Sequence, residues 1–104
     1  MRDESVTLIN LLKARPGQQA ALLVLLRHNT ETVIRTLPGW KSTRLIAARD
    51  GGGVAICSEW HSAAAVEAMR GDPRMQAYLP KILELASLDS LVGSAVVTET
   101  CRGG

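Results

Sequence analysis

The chain of 104 residues carries a formal net charge of +2, and 46% of its residues are hydrophobic while 21% are charged. This composition is typical of a globular protein, and the length predicts one domain over residues 1–104 with one core. The 12 basic residues are scattered, which argues against a nucleic-acid partner. The longest apolar run, residues 20–26, is too short to cross a membrane, so we expect no membrane partner.

Two features predict a cytoplasmic location. The first residues, MRDESV, are polar and acidic and lack the basic and apolar regions of a secretory signal. Cys57 and Cys101 form neither a metal-binding nor a redox spacing, and we interpret Cys57 as a small buried apolar residue. We therefore expect a reduced protein that binds no metal.

The first predicted elements are a strand and a helix. Residues 5–14 are rich in Val, Ile and Leu and end at Arg15-Pro16-Gly17, which predicts a strand followed by a turn. Apolar residues at helical spacing predict one long helix over residues 18–37. Pro38-Gly39 is a typical helix stop, so the helix should end there.

Three further strands are predicted downstream. Residues 40–49 and 54–60 form two of them, joined by the Gly-rich hairpin of residues 50–53. The last strand is predicted over residues 91–100, with residues 102–104 as a loose tail.

A second helical region is predicted between the third and fourth strands. Ser62 is placed to cap a short helix that runs to Met69, and Gly71 breaks it. Asp72-Pro73 then supplies a capping carboxylate and a proline at the first helical position. Pro80 is expected to limit this second piece, because an interior proline removes a helix hydrogen bond.

The predicted order is β-α-β-β-α-β, the ferredoxin-like arrangement of an α+β fold. Its two helices cover one face of a four-stranded antiparallel sheet. In the first strand, however, Val6, Leu8 and Leu12 lie on one face while Ile9 and Leu11 lie on the other.

The last predicted strand shows the same pattern, with Val92 and Val96 opposed to Ala95 and Val97. Both sheet faces are then apolar, and the helices cover only one of them. An uncovered apolar face marks an association surface, so we expect a homodimer that forms through the sheet.

Four segments resemble the antibiotic biosynthesis monooxygenase family of small dimeric α+β-barrel proteins. They are LINLLKARPG (8–17), LPGW (37–40), SEWHSAAAVEAM (58–69) and DPRMQAYL (72–79). Each segment is a weak signal alone, whereas their order and spacing make a moderately specific match over about residues 5–100.

The resemblance implies a function as well as a fold. The family includes oxygenases that use no metal, flavin or nicotinamide and that oxidise polycyclic phenols such as anthrones and naphthols from aromatic polyketide pathways. The deprotonated substrate itself reduces O2, which is the only co-substrate. The protein holds the ring, stabilises the developing anion and excludes bulk water.

The resemblance also implies site residues. A related haem-degrading branch uses an Asn on the first strand, a Trp at the end of the third and a His in the later helix. These positions hold Asn10, Trp60 and Tyr78 here, so the iron ligand is missing and haem degradation is not expected. The quinone-forming branch often has an Asn four residues before the Trp and a Tyr six residues after it. Ile56 and Val66 stand there instead, so the chain departs from both active-site sets.

Each proposed catalytic residue also has a structural alternative. Asn10 interrupts an apolar strand face, either to aim an amide N–H at a phenolate or peroxide oxygen or to bond to nearby backbone. Trp60 forms either a flat pocket wall with one N–H donor or a filler between sheet and helix. Tyr78 either donates a hydrogen bond or proton, or packs on the sheet.

A second group of residues is assigned to substrate binding. Ile56 and Ser58 share a strand face with Trp60, and the match places Val66 beside them. Trp40 either anchors the first helix or enters the pocket. Arg44 has the same strand parity as Trp40, so it either pairs with an anionic substrate group or stays at the rim.

His28 and His61 are expected in solvent. Three functions stay open at this point. The first is a cofactor-independent monooxygenase acting on a small polycyclic aromatic polyketide intermediate. The second is a binding protein that sequesters such a ligand without chemistry, which the departures at Ile56 and Val66 favour. The third is a polyketide cyclase or isomerase on the same fold.

Overall fold

The computed structural model describes residues 5–101 and confirms the ferredoxin-like order. Two helices, α2 and α3, together occupy the place of the second predicted helix. The elements are β1 (Val6–Ala14), α1 (Gln19–Thr32), β2 (Trp40–Ala47), β3 (Gly53–Trp60), α2 (Ala63–Arg70), α3 (Pro73–Leu85) and β4 (Ala86–Gly93). No helix in the described part of the chain is long and apolar enough to cross a membrane.

The four strands form one antiparallel sheet in the order β2-β3-β1-β4. Residues directly opposite each other on antiparallel strands point to the same face of the sheet. Asn10 lies opposite Ile56 on one side and Ser90 on the other, so these three side chains share a face. The sheet register therefore brings residues that are far apart in sequence to one surface.

The helices pack on this face, which we call the inner face, and the core there has two parts. One cluster is centred on the fully buried Trp60 and includes Leu8, Ile34 and Val66. The other contains Leu12, Leu22, Leu26, Val54, Ile82 and Ala86. Because both clusters draw residues from β1 and β3, the sheet holds them side by side.

The first helix is shorter than the predicted range of residues 18–37. It ends at Thr32, and a single 3-10 turn, Ile34–Thr36, leads to an extended Leu37. The threonines at this end compete for the helix carbonyls: the Thr32 hydroxyl donates to the carbonyl of His28 at 2.8 Å. Such side-chain bonds and β-branching weaken a helix, which apolar spacing alone does not reveal.

The predicted end of α3 and the predicted last strand are both wrong. Pro80 lies inside α3, which continues to Leu85 and passes directly into β4 at Ala86. Burial of Ile82 in the core offsets the lost hydrogen bond. The strand runs over Ala86–Gly93 instead of residues 91–100. In its first half, the inward-facing Ala86 and Leu88 alternate with the exposed polar residues Ser87 and Asp89, a pattern that suits a strand at the edge of the sheet.

The predicted caps of the second helical region are confirmed. Ser62 accepts a hydrogen bond from the backbone N–H of Ala65 at 3.1 Å, and Asp72 accepts one from that of Arg74 at 2.8 Å. The side-chain hydrogen bond from Arg74 lowers the pKa of Asp72, so the capping carboxylate stays charged in mild acid. The two caps fix where α2 and α3 begin.

The opposite side of the sheet, the outer face, has no helix among residues 5–101 packed on it. Ile9, Leu11, Ile46 and Leu91 lie there, and Leu11 and Leu91 are 58% and 63% exposed. The prediction from the first strand, that apolar residues occupy both faces, is confirmed.

The prediction that residues 95–97 continue the last strand and add apolar side chains to both sheet faces is wrong. Val96 and Val97 follow β4 and belong to no strand, so they do not extend either sheet face. The predicted tail, residues 102–104, lies outside the described residues.

Candidate active site

A cavity of about 340 Å³ lies between the two core clusters on the inner face. Leu8, Ile34 and Trp60 of the first cluster form part of its wall, and Leu12 and Ile82 of the second form another part. This volume is within the range of roughly 300–1,000 Å³ that is typical of small-molecule sites. The gap in the core is therefore large enough for a ligand and mostly apolar.

Polar side chains from the sheet and from all three helices also line this mostly apolar cavity. They are Asn10, Asn29, Thr30, Thr43, Ser58, Arg70, Gln76 and Ser90. Arg70 is the one ionisable side chain among these described lining residues. The hydrogen bonds inside the protein determine which atoms of the others remain for a ligand.

Asn10 offers hydrogen-bond donors to the cavity. The hydroxyl of Ser90, on the neighbouring strand β4, donates to Asn10 Oδ1. This bond occupies the amide oxygen, and the Nδ2 group finds no acceptor among the described residues. Asn10 is half-buried, so Nδ2 is available to a ligand oxygen.

Trp60 and Ser58 act as a pair on β3. The Trp60 Nε1–H donates to Ser58 Oγ at 3.0 Å, and both residues are buried. The indole therefore supplies the cavity with a flat wall and no unpaired donor. The hydroxyl hydrogen of Ser58 has no acceptor in the described chain, so this group can donate to a ligand.

Arg70 and Gln76 mark where the cavity opens to solvent. Both side chains line the cavity and are exposed. Arg70 pairs with Glu67 at 3.1 Å, and its own side chain is 42% exposed. The Glu67 carboxylate and solvent both screen the Arg70 charge, so this ion pair gives the opening little net attraction for an anionic ligand.

Of the predicted catalytic residues, Asn10 and Trp60 line the cavity and Tyr78 does not. Tyr78 is half-buried between α1 and α3, where it packs against both core clusters. The ring centroid of Tyr78 lies 6.3 Å from that of His28 and 5.6 Å from Lys81 Nζ. The structure thus places Tyr78 in the helix-packing layer.

The predicted substrate-binding residues also divide. Ile56 and Ser58 line the cavity. Val66 is fully buried in the Trp60 cluster, and Trp40 packs against that cluster from the end of β2. Trp40 still touches the site indirectly, because its Nε1–H donates to Thr43 Oγ1 at 2.8 Å and Thr43 lines the cavity.

Arg44 lies on the outer face, away from the cavity. A β-bulge between Trp40 and Ser42 shifts the register, so Trp40 lies opposite Trp60 whereas Arg44 lies opposite Cys57. The expected shared parity of Trp40 and Arg44 is therefore wrong. Half-buried Cys57 and exposed His28 and His61 do not line the cavity either.

Asn29, Arg70 and Ser90 line the cavity but are not among the site residues predicted from the sequence. Ser90 could be found only with the correct range of β4, since the register then places it opposite Asn10. Asn29 lies on the inward side of α1 with the buried Leu22 and Leu26, so its position in the apolar stripe was the available signal.

The lining groups can bind and polarise a ligand. Among residues 5–101, no carboxylate, imidazole, thiol or phenol lines this cavity, and no group of three or more His, Cys, Asp or Glu could hold a metal ion. The described wall therefore contains donors that stabilise an anion but no side chain suited to be a general base.

These features define an α+β protein with a cavity of small-molecule size between helices and sheet that opens to solvent at Arg70 and Gln76. The chain belongs to the antibiotic biosynthesis monooxygenase family, whose model matches residues 5–81. It is 39% identical over 70 residues to the tetracenomycin-F1 monooxygenase of Streptomyces glaucescens, a match that spans 67% of this chain and 62% of that relative's length.

Solved structures show the same fold. SnoaB, a cofactor-independent oxygenase from Streptomyces nogalater, superposes with a TM-score of 0.83 at 18% identity, covering 91% of this chain and 96% of SnoaB. Rv0793 from Mycobacterium tuberculosis has a TM-score of 0.80 at 25% identity, covering 93% of this chain and all of that protein.

Proposed function

We propose that the protein is a cofactor-independent monooxygenase that oxidises a polycyclic phenol of the anthrone or naphthol type, as part of an aromatic polyketide pathway. The observation that carries this proposal is the apolar cavity in which Asn10 and Ser58 present donors beside the Trp60 wall. The similarity to tetracenomycin-F1 monooxygenase supports the same reaction class.

The proposed chemistry uses the electrons of the substrate. Loss of a proton from an anthrone gives an anion that transfers one electron to O2, and the resulting radicals combine to form a C–O bond. The peroxide then loses water as its O–O bond breaks, which gives the quinone carbonyl. One anthrone and one O2 thus yield one anthraquinone and one water.

Asn10 and Ser58 would stabilise the anion that this reaction needs. Hydrogen bonds to an oxygen anion favour the ionised form and lower the pKa of the bound phenol. Because no described side chain in the cavity is suited to act as base, water or hydroxide would take the proton.

Three further features belong to the proposal. The outer face is proposed to bury itself against a second copy, because a two-fold axis lets one apolar patch cover itself. A single domain is proposed to carry the whole activity. A cytoplasmic location is proposed because Cys57 is a free thiol.

Oxygen consumption tests the proposed reaction. The purified protein is incubated with anthrone, with 1,8-dihydroxyanthrone and with 1-naphthol, and O2 uptake is compared with a protein-free control. We expect faster uptake with at least one of them, accompanied by a quinone product. Binding without faster uptake across all three would contradict the oxygenase and leave a binding protein or a cyclase on the same fold.

The variant Asn10→Leu tests the site in the same assay. Removing a donor to a developing oxygen anion lowers kcat by about 10²- to 10³-fold. Val24→Ala is the control, because Val24 is an exposed residue of α1 outside the cavity. Equal rates for wild type and Asn10→Leu would remove Asn10 from the mechanism.

A further inference from the structure

Asn29 is a buried amide in the cavity wall that neither family pattern assigns. It lies on α1, is 5% exposed, and faces the sheet across the cavity. Its Nδ2 group donates to the thioether of Met75 at 3.4 Å. That contact is the single side-chain hydrogen bond found for Asn29 among the described residues.

The thioether fixes which way the amide points. Sulfur in Met75 carries no hydrogen and can only accept, and it accepts weakly. The Asn29 amide must therefore turn its Nδ2 group toward Met75 and its Oδ1 away from it. No donor in the described chain reaches Oδ1, so this oxygen is left for whatever occupies the cavity.

The fold gives no other reason for an amide at this position. The neighbouring buried residues of α1, Leu22 and Leu26, are aliphatic, and a leucine would continue their stripe. No buried side-chain nitrogen or oxygen among the described residues lacks a partner, so Oδ1, which has no protein donor, keeps accessible surface in the cavity. The amide is better explained by the ligand than by the stability of the helix.

We propose that Asn29 Oδ1 accepts a hydrogen bond from a phenolic hydroxyl of the substrate. This inference rests on the proposed function, because it assumes a hydroxylated aromatic ligand in the cavity. Asn10 offers a donor and Asn29 an acceptor. The site would thus select a polycycle with an ionised oxygen at the sheet side and a protonated hydroxyl at the α1 side.

Ligands that are already quinones separate this inference from the oxygenase proposal. We compare 2-hydroxyanthraquinone, with one hydroxyl, and 2,6-dihydroxyanthraquinone, with hydroxyls at opposite ends. Their Kd values are measured by calorimetry with the full chain. A second hydroxyl adds about a twofold statistical factor, and a hydrogen bond to Asn29 adds roughly a further 3- to 10-fold in affinity.

The variant Asn29→Leu should reduce the preference for 2,6-dihydroxyanthraquinone over 2-hydroxyanthraquinone to the statistical factor. It should leave the Kd of 2-hydroxyanthraquinone almost unchanged. Thr32→Val is the control, because Thr32 is an exposed polar residue of the same helix and should keep the full preference. Asn29→Ala, which is smaller, gives the same comparison if the leucine variant does not fold. The inference would be overturned if wild type and the Asn29 variant preferred 2,6-dihydroxyanthraquinone equally. It would also be overturned if wild type bound the two quinones with Kd values that differ only by the statistical factor.

Thermal unfolding supplies a second readout. If Asn29 served only the fold, its replacement would lower the Tm, whereas a ligand-binding role predicts the opposite change. Asn29→Leu should raise the Tm, because a leucine buries more apolar area beside Leu22 and Leu26 and the amide's one side-chain hydrogen bond is to a weak acceptor. A lower Tm together with an equal loss of affinity for both quinones would assign Asn29 to the fold instead. The preference for 2,6-dihydroxyanthraquinone could depend on Asn29 while the protein accelerates O2 uptake with none of the phenols. In that case the inference stands and the oxygenase proposal fails.

Discussion

The Ser90 hydroxyl on β4 is hydrogen-bonded to Asn10 on β1. By donating to Asn10 Oδ1 it leaves the Nδ2 hydrogens for a ligand oxygen. An amide that could rotate freely would present its oxygen as often as its nitrogen, and an oxygen would repel a phenolate. With this bond in place, Asn10 presents N–H donors and not a carbonyl oxygen to the substrate.

Ser90→Ala should weaken the stabilisation of a bound phenolate. The measurement is the apparent pKa of 2-hydroxyanthraquinone bound to the protein, followed by the phenolate absorption band. We expect this pKa to lie below that of the ligand in water for wild type and to rise toward it in Ser90→Ala. Ser87→Ala is the matched control, because Ser87 lies on the same strand but on the outer face. Equal shifts in both variants would contradict the role of Ser90.

Residue type and strand parity are the features of the sequence from which individual site residues could be predicted. Asn10 stood out because an amide interrupts an apolar face, and Trp60 because it ends a strand. Asn29 did not, since in a helix an asparagine inside an apolar stripe can also be a surface residue near its edge. Its role depends on Met75, which lies 46 residues away in sequence and contacts it only in the folded chain.

At the scale of elements, a tight turn joins the first helical region to the sheet. The Trp40 N–H bonds to the Leu37 carbonyl at 3.3 Å, and Gly39 has a φ of +84°. A proline followed by a glycine of positive φ is the signature of a type II turn. The Gly39 carbonyl also accepts from the His61 N–H at 2.7 Å, so the turn ties β2 to the end of β3.

Gly39→Ala should destabilise the protein more than the backbone conformation alone explains. A β-carbon at Gly39 would lie 2.5 Å from Cβ of Ala65 in α2, whereas one at Gly17 would meet nothing within 4 Å. Both glycines have positive φ, so Gly17→Ala isolates the conformational cost of about 1–2 kcal/mol. Overpacking adds about 1–3 kcal/mol at Gly39. Urea unfolding that gives equal losses for the two variants would contradict this account.

Most elements could be predicted because their signals are local. Ser62 and Asp72-Pro73 mark helix starts through caps that need only neighbouring residues. The start of β4 could not be predicted in this way. Its first half, ASLDS, is polar because an edge strand faces solvent, and Pro80 upstream is tolerated only because tertiary packing holds α3 together.

At the scale of the whole molecule, the outer face of the sheet is left uncovered by the described helices. Two rows of cross-strand neighbours form its centre: Arg44, Cys57, Ile9 and Leu91 in one, and Ile46, Ala55, Leu11 and Asp89 in the other. Apolar side chains fill the middle of both rows, and charged ones lie at two ends. This distribution matches an interface with an apolar centre and a polar rim.

Leu11→Glu should convert the proposed dimer into a monomer. A carboxylate at the centre of an apolar interface would be buried without a partner in both copies. Sedimentation velocity at micromolar concentration measures the change. Val24→Glu introduces the same charge at a residue that is 70% exposed on α1 and should leave the dimer intact. A monomeric wild type, or a Leu11→Glu variant that still dimerises, would contradict the proposal.

Isotope labelling tests the central claim that this cavity places O2 oxygen on a phenolic polycycle. Anthrone is converted under ¹⁸O2 in ordinary water, and the anthraquinone is examined by mass spectrometry. The account predicts accelerated formation of a product with one ¹⁸O atom, and loss of that acceleration in Asn10→Leu. A quinone formed no faster than without protein, or one whose new oxygen comes from water, would contradict it.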